Sequence, residues 1–259
     1  MQADAAVWRN LAAAPKNCLL DYDGTLAPFV SHVLRAEPYP GIRECIAGLM
    51  QRRDMRVVLV SGRPAQQAAS FLGVTPAPEV WGCHGLERLL PGGEIVRFPV
   101  EPEQEAGLVH AADWAAYRRL SGYLEHKSGC LAFHVRGLPK PKAAFMLEQA
   151  SKDWRALADE HRLSLHTFDG GLELRVPGMD KGLAVAAIRR ESSPEHVTIY
   201  LGDDTTDEDA FAALQPRDIA VLVRAAPRET LAAWWLRPPD EMLAFLNALL
   251  RLGEAQVGR

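Results

Sequence analysis

The sequence predicts an α/β fold, a Rossmann-like, doubly wound parallel sheet with a smaller α+β domain inserted into it. Three observations lead to this prediction. Short continuous runs of Val, Ile and Leu recur along the 259 residues, helical patterns lie between them, and in the middle of the chain helices come before strands. Continuous apolar runs are typical of strands buried on both faces, and their alternation with helices indicates parallel strands joined by right-handed crossovers.

Four apolar runs predict the strands of the main sheet, at residues 18–20, 57–60, 197–201 and 219–223. The first three lead into small or acidic residues, which include Asp21, Ser61 and Asp203. In open α/β sheets, ligands bind beyond the carboxyl ends of the strands. The candidate site is therefore expected at these three strand ends.

Helical spacing of apolar residues follows Pro40-Gly41, from Ile42 to Met50, and recurs from Leu243 to Leu250. The middle of the chain differs, because a helical face precedes a strand there, and a second helical face precedes a hairpin. These segments are 114–124, 131–135, 147–157 and 163–176, the last around the turn Asp169-Gly170-Gly171. They predict an inserted α+β cap at residues 101–178 and a core made of residues 1–100 plus 179–259.

Composition and charge exclude several classes of protein. The chain is 48% hydrophobic and 24% charged with a net charge of -4, so it is neither disordered nor broadly attractive to nucleic acid or anionic membranes. Its four cysteines form no C-x-x-C pair, which excludes common zinc spacings and predicts reduced, buried thiols. No stretch approaches the ~18 apolar residues of a membrane span. We expect a cytoplasmic monomer or small homo-oligomer that binds no nucleic acid and no membrane.

The most informative segment is Asp21-Tyr22-Asp23-Gly24-Thr25-Leu26, at the end of the first predicted strand. Side chains two residues apart on a strand point the same way, about 6.6 Å apart. Two such carboxylates repel each other unless a cation or proton lies between them. Asp-Gly after a strand is also a common turn, but the complete hexapeptide behind a buried strand favours a catalytic role.

A second acidic group, Asp203 to Asp209, follows the third predicted strand. Carboxylates are suitable ligands for a hard cation such as Mg²⁺. Asp203, at the strand end, is the better ligand candidate, and Asp207 is a second ligand or a partner of the ligands. Acidic residues also favour a helix N-terminus, and both interpretations can hold together.

Two further strand-to-helix junctions are candidates for phosphate binding. Ser61-Gly62-Arg63 offers a hydroxyl and backbone N–H groups at a helix start, although an ordinary helix cap explains it equally well. Lys181 falls in the first turn of a predicted helix, where a cation is unfavourable for the helix dipole. An anionic ligand would offset that cost.

Together these motifs resemble the haloacid dehalogenase-like (HAD) phosphatases, whose four motifs appear in order as Asp21-x-Asp23-Gly24-Thr25, Ser61, Lys181 and Gly202-Asp203-Asp204-x-x-Asp207. More narrowly, the chain resembles the trehalose-6-phosphate phosphatases. That narrower resemblance is carried by residues 20–28, 82–87, 125–127, 134–136 and 173–175.

The resemblance implies Mg²⁺-dependent hydrolysis of trehalose 6-phosphate through an aspartyl-phosphate, the last step of trehalose biosynthesis. It implies that Asp21 is the nucleophile and that Asp23 is the general acid and base. The implied phosphate-binding residues are Ser61, Gly62 and Lys181, and the implied metal ligands are Asp21, Asp23, Asp203 and Asp207. The implied substrate-binding residues are His84, Glu125, Lys127, His134, Arg136 and Glu173.

On pattern alone, the inserted-domain residues also suit a solvated surface, with Glu125 and Lys127 ending a helix and His134 and Arg136 alternating on one strand face. Three other functions use similar residues. A HAD phosphatase or phosphomutase acting on another sugar phosphate would share the core, and a non-catalytic sugar-phosphate sensor would share the fold. An inverting glycosidase also uses two separated carboxylates, but needs neither the second acidic group nor the helix-start lysine.

Overall fold

The computed structural model describes residues 5–29, 36–168 and 170–252. The chain divides into two compact units, the first made of Met1–Val96 and Asp180–Arg259 and the second of Arg97–Met179. Asp169, in the predicted hairpin turn, lies outside the described residues. The core and cap roles assigned to these parts of the chain stay predictions.

The helices and strands alternate in the first unit and change order in the second, as the sequence predicts. The helices are α1 (Ala5–Ala13), α2 (Ile42–Met50), α3 (Ala65–Leu72), α4 (Pro102–Tyr117), α5 (Lys140–Glu160), α6 (Lys181–Glu191), α7 (Glu208–Ala212) and α8 (Asp240–Arg251). The strands are β1 (Lys16–Leu20), β2 (Met55–Val60), β3 (Glu79–Gly82), β4 (Glu87–Leu89), β5 (Ile95–Arg97), β6 (Leu124–Lys127), β7 (Cys130–His134), β8 (Ser164–Phe168), β9 (Gly171–Arg175), β10 (Val197–Gly202), β11 (Ile219–Val223) and β12 (Trp234–Leu236).

The main sheet has the strand order β12-β11-β10-β1-β2-β3-β4-β5. The strands from β12 to β3 pair in parallel, whereas β4 pairs with β3 antiparallel. Central β1, β10 and β11 are buried along their whole length, which explains their continuous apolar runs. The doubly wound α/β prediction is confirmed. Because β3, β4, β5 and β12 are short and carry polar or aromatic residues, the run pattern did not reveal them.

Strand register brings the predicted strand ends together. Leu20 of β1 lies opposite Leu59 of β2 on one side and Leu201 of β10 on the other. The backbone N–H of Asp21 donates a hydrogen bond to the carbonyl of Leu201, with a donor–acceptor distance of 2.9 Å. Residues that follow these three strands therefore meet at one edge of the sheet.

A network of charged side chains lies where β2 and β3 begin. Glu79, the first residue of β3, is 4% exposed and accepts hydrogen bonds from Arg56 Nε (3.0 Å), Arg88 Nε (2.8 Å) and Trp81 Nε1 (2.9 Å). Glu191, at the end of α6, pairs with the same two arginines from the solvent side. The network joins β2, β3, β4 and α6.

We expect Glu79→Gln to lower the free energy of unfolding by about 2–4 kcal/mol, because a neutral amide leaves two guanidinium groups without their buried carboxylate. The matched control is Glu191→Gln, since the Glu191 side chain is 41% exposed and exposed pairs contribute about 0–1 kcal/mol. Urea unfolding at pH 7 measures both variants. Equal losses in the two variants would contradict the assigned role of Glu79.

In the second unit, a four-stranded antiparallel sheet, ordered β6-β7-β9-β8, packs against α4 and α5. Trp114, Phe133 and Trp154 meet edge to face with ring centroids about 6 Å apart, and they form the centre of the core of this unit. The prediction that Glu125 and Lys127 end a helix is wrong. The chain leaves α4 after Tyr117, Arg119 takes a left-handed φ of 57°, and both residues lie on β6.

The predicted strand over 131–135 is β7, which ends at His134. Arg136 therefore does not alternate with His134 on one strand face. It falls in the turn after the strand, where Gly137 has a φ of 84°. Among the helices that the structure describes, none combines the length and the apolar character needed to cross a bilayer.

Candidate active site

Three carboxylates converge at the edge of the sheet where β1 and β10 end. Asp21 follows β1, Asp203 follows β10, and Asp207 lies in the single turn of 3₁₀ helix before α7. One ligand oxygen of each lies within 4.8 Å of the others, and all three residues are buried. The approach is close because Gly24 and Gly202 have no side chains. A Cβ at Gly24 would collide with the Asp203 carboxylate, and a Cβ at Gly202 would collide with that of Asp207.

Lys181 joins this group from the first turn of α6. Its Nζ lies 2.7 Å from Asp21 Oδ1 and 2.7 Å from Asp207 Oδ1. Burial by itself disfavours the ammonium, but the charges of Asp207 and Asp21 outweigh it and raise the pKa of Lys181 above its ordinary value. These two carboxylates therefore offset the unfavourable position of a cation in the first turn of a helix.

Asp207 is the most heavily hydrogen-bonded of the three carboxylates. Its Oδ1 accepts from Lys181 Nζ and from the Tyr200 hydroxyl, each at 2.7 Å. Its Oδ2 accepts from the backbone N–H groups of Asp203 and Asp204, each at 2.9 Å. Four donors occupy the usual acceptor sites of a carboxylate. Asp207 thus holds Lys181 and the loop after β10 in place, and Asp21 and Asp203 have more acceptor capacity left for a cation.

The electrostatics of the group call for a cation. Burial first, and then the neighbouring charges, raise the pKa of Asp203 to about 9. Burial raises the pKa of Asp21 to about 7, although Lys181 partly opposes the shift. Buried oxygen ligands whose charges repel one another are a suitable donor set for a hard divalent ion. The residues therefore fit Mg²⁺.

Asp23 lies apart from this buried group. Its two carboxylate oxygens accept hydrogen bonds from Nε and Nη2 of Arg63, and each donor–acceptor distance is 2.5 Å. The Arg63 guanidinium lies over the Phe71 ring, 4.8 Å from its centroid. Arg63 lies in the Ser61-Gly62-Arg63 junction, and the sequence pattern indicates no role for its side chain. The signal available was an arginine three residues beyond a strand end, which is too common to be informative alone. The prediction that Asp23 is a metal ligand stays a prediction.

Ser61, Gly62 and His84 form a second corner of the same edge. Ser61 follows β2, and its Oγ accepts from the backbone N–H of Arg63 at 3.1 Å. The His84 ring packs on Gly62, where a Cβ would lie only 2.8 Å from two ring atoms. His84 itself is buried and has a left-handed φ of 56°. The phosphate-binding and substrate-binding roles predicted for these residues stay predictions.

The other predicted substrate residues gather on one face of the sheet of the second unit. Lys127 Nζ lies 3.3 Å from Glu173 Oε1 and 3.6 Å from Glu125 Oε2, and His134 Nε2 lies 2.8 Å from Glu125 Oε2. The opposite face carries apolar side chains such as Phe133 and Leu174. Burial disfavours the Lys127 ammonium, but nearby charges, that of Glu173 above all, outweigh it and raise its pKa. Arg136 lies outside these strands, and the sequence did not predict that Arg175, on β9, pairs with Glu173 at 3.8 Å.

Comparison with known proteins points to one family. The profile of a family described as Trehalose-phosphatase matches residues 19–239. A probable trehalose-phosphate phosphatase of Oryza sativa subsp. japonica is 28% identical, and the match covers 95% of this chain and 73% of that protein.

Two solved structures share the fold. The C-terminal domain of trehalose-6-phosphate phosphatase from C. albicans superposes with a TM-score of 0.78, at 20% identity and over 95% of each chain. A phosphatase of the haloalkanoate (HAD) superfamily from Bacteroides thetaiotaomicron superposes with a TM-score of 0.64, at 16% identity and over 98% of each chain. The chain therefore has the HAD phosphatase fold.

Proposed function

The chain belongs to the trehalose-phosphatase family, and from that premise we propose that it hydrolyses trehalose 6-phosphate to trehalose and inorganic phosphate, the last step of trehalose biosynthesis. The observation that carries the proposal is the buried contact of Lys181 with Asp21 beside Asp203 and Asp207. A phosphate monoester brings a charge of about -1.5 to -2 to a carboxylate nucleophile. A cation beside the nucleophile offsets the repulsion between the phosphate and the attacking carboxylate.

The proposed first step forms a bond between a carboxylate oxygen of Asp21 and phosphorus, and breaks the bond between phosphorus and the sugar oxygen. At an effective dielectric near 20, each pair of unit charges ~4 Å apart repels by about 4 kcal/mol. Lys181 reduces that repulsion, since its ammonium already lies against Asp21 and Asp207. Asp207 keeps Lys181 oriented while Asp21 reacts.

Asp23 is the proposed general acid and base. It would give a proton to the departing sugar oxygen and then take one from the water that cleaves the aspartyl-phosphate. One residue can serve both steps, because donating the proton leaves it as the base. Arg63 donates to both oxygens of Asp23, which holds the base form of this carboxylate in place, so we propose Arg63 as a positioning residue. The proposed acid step requires one of these two contacts to open so that Asp23 can carry the proton.

Mg²⁺ is the proposed cofactor, and the oxygens of Asp21 and Asp203 are the ligands that the hydrogen-bonding pattern leaves most available. When bound, the ion would supply charge compensation and polarise the phosphoryl oxygens. We also propose a reducing, cytoplasmic location, supported by the four cysteines, which are buried free thiols. Cell fractionation would test it.

The reaction itself is tested by phosphate release from trehalose 6-phosphate, glucose 6-phosphate and a small aryl phosphate, with and without Mg²⁺. Fastest release from trehalose 6-phosphate supports the proposal. Transfer of the phosphoryl group to a second sugar phosphate would point instead to a phosphomutase. Binding without turnover would point to a sensor.

For sugar recognition we propose Glu125, Lys127, His134 and Glu173, whose polar side chains share one face of the sheet of the second unit. A site built to hydrogen-bond a hydroxyl discriminates strongly against ligands that lack it. We expect Glu125→Ala and Lys127→Ala to lower kcat/KM for trehalose 6-phosphate by roughly 10- to 1000-fold. A small aryl phosphate has no sugar hydroxyls, so its hydrolysis should change little.

Two controls separate recognition from folding. Glu125→Gln keeps an acceptor for His134 Nε2 and should lose less activity than Glu125→Ala. Arg155→Ala, at an exposed position on α5, should leave the hydrolysis of both substrates unchanged. Equal losses on both substrates in Glu125→Ala would show that Glu125 supports the fold instead of binding the sugar.

A further inference from the structure

A basic pocket of about 440 Å³ lies at the edge of the main sheet opposite the carboxylates. β1 and β10 begin at this edge, where Asn17 and Thr198 lie side by side, and they end at Asp21 and Asp203. The pocket is lined by three arginines, Arg189, Arg190 and Arg217, and by His196. Of the described residues that line it, none is an aspartate or a glutamate.

The floor of the pocket is polar where a doubly covered sheet is normally apolar. Asn17 is 0% exposed and Thr198 is 1% exposed. Asn17 Nδ2 donates to Thr198 Oγ1 at 3.3 Å, and Ser192 Oγ lies 3.0 Å from Asn17 Oδ1. The buried part of the floor is therefore a small polar network that joins β1, β10 and the residue after α6.

Two of the three arginines in the walls of the pocket have no carboxylate partner among the described residues. Arg189 pairs with Asp218 at 3.2 Å. Arg190 and Arg217 hydrogen-bond only to backbone carbonyls, those of Ala186 and Pro194, and neither pairs with a carboxylate anywhere in the described part of the chain. Guanidinium groups match the geometry of phosphate oxygens and bind them with two parallel hydrogen bonds.

The end of α6 would oppose an anion if its carbonyls pointed into the pocket unbonded. Instead, the N–H of Ser192 donates to the carbonyls of Ile188 (3.1 Å) and Arg189 (3.3 Å). The hydroxyl of Ser192 donates its one proton to the carbonyl of Ile188, at 2.8 Å. The negative end of the helix is therefore largely satisfied within the protein.

We propose that this pocket binds the phosphoryl group of a small phosphorylated metabolite. The volume lies in the range of small-molecule sites, the walls supply two guanidinium groups that pair with no carboxylate of the described residues, and the floor is polar. Because the pocket lies at the other end of the strands from Asp21, its ligand does not depend on the proposed reaction.

The test is calorimetric titration of the full chain with inorganic phosphate, glucose 6-phosphate and AMP, in excess chelator at fixed ionic strength. Without a divalent ion, the three carboxylates around Lys181 repel phosphate, so binding reports the pocket. We expect saturable binding of at least one probe with a dissociation constant of about 1 mM or below. A preference for glucose 6-phosphate or AMP over phosphate identifies the class of metabolite.

The double variant Arg190→Ala/Arg217→Ala should weaken binding at least about tenfold, and Arg155→Ala should not. Arg190 and Arg217 are both exposed, so the double variant is expected to fold. A mutation-free measurement is the amide NMR spectrum of the natural chain, in which the probe should shift residues 189–193, 196–198 and 215–217. Absence of saturable binding, unchanged affinity in the double variant, or shifts confined to residues around Asp21 would each overturn the proposal.

Discussion

Asp21→Asn is expected to lower the turnover of trehalose 6-phosphate by roughly 10⁴-fold or more, while the protein stays folded. The substitution keeps the volume of the side chain and removes the charge that attacks phosphorus. The amide oxygen still accepts a hydrogen bond from Lys181 Nζ, which in the natural protein lies 2.7 Å from Asp21 Oδ1. Lys181 also keeps its carboxylate partner, Asp207. The loss should therefore appear in the reaction rate and not in the fold.

The stability of this variant should equal or exceed that of the natural chain at pH 8. Burial raises the folded-state pKa of Asp21 from 3.8 to about 7, so ionising Asp21 disfavours the folded state. The penalty is absent below about pH 4, where Asp21 is protonated in both states, and it grows up to about pH 7. Asparagine removes it, so any gain in melting temperature should be present at pH 8 and vanish in acid.

Phosphate release measured with Mg²⁺ reports the effect on turnover, and thermal melting measured in excess chelator reports the effect on stability. The matched control is Asp204→Asn, because Asp204 lies at the same edge but outside the group of three buried carboxylates. Its activity should fall by less than about tenfold. Near-normal turnover in Asp21→Asn would refute the aspartyl-phosphate mechanism, whereas lost activity with a collapsed melting temperature would leave Asp21 a structural role only.

Removal of divalent cations is the second change expected to abolish activity. Asp21, Asp203 and Asp207 bring three carboxylates together, and Lys181 supplies one positive charge. A phosphate dianion would meet several kcal/mol of repulsion at this edge without a further cation. Activity should fall to background in excess EDTA and return on titration with Mg²⁺. Mg²⁺ should also raise the melting temperature, since a ligand that binds only the folded state stabilises it.

Ca²⁺ should bind at the same place and inhibit. It prefers longer bonds and more ligands than octahedral Mg²⁺, so it would draw both oxygens of Asp21 away from the line of attack. The diagnostic result is a melting temperature raised by both ions with turnover restored by Mg²⁺ alone. Full activity in excess chelator would show that the carboxylates act without a metal.

Local patterns in the sequence were sufficient to predict the fold class and the edge of the sheet at which the candidate residues meet. A strand buried on both faces must be apolar along its length, so β1, β2, β10 and β11 are visible as runs, and Asp21, Ser61 and Asp203 are visible as the residues that follow them. The rule that ligands bind at the carboxyl ends of parallel strands then brings these residues together. Both inferences depend only on neighbouring residues and on general topology.

The partners of individual side chains depend on tertiary structure. Arg63 is 40 residues from Asp23, and Lys181 is 160 residues from Asp21, so no periodicity records either contact. Asp207 accepts hydrogen bonds from a tyrosine of β10 and from backbone N–H groups of the following turn. Only the folded turn directs these donors at one carboxylate. Likewise, Glu125 and Lys127 share a face with Glu173 because β6, β7 and β9 pair in one register, and a one-residue slip would have turned them to the apolar side.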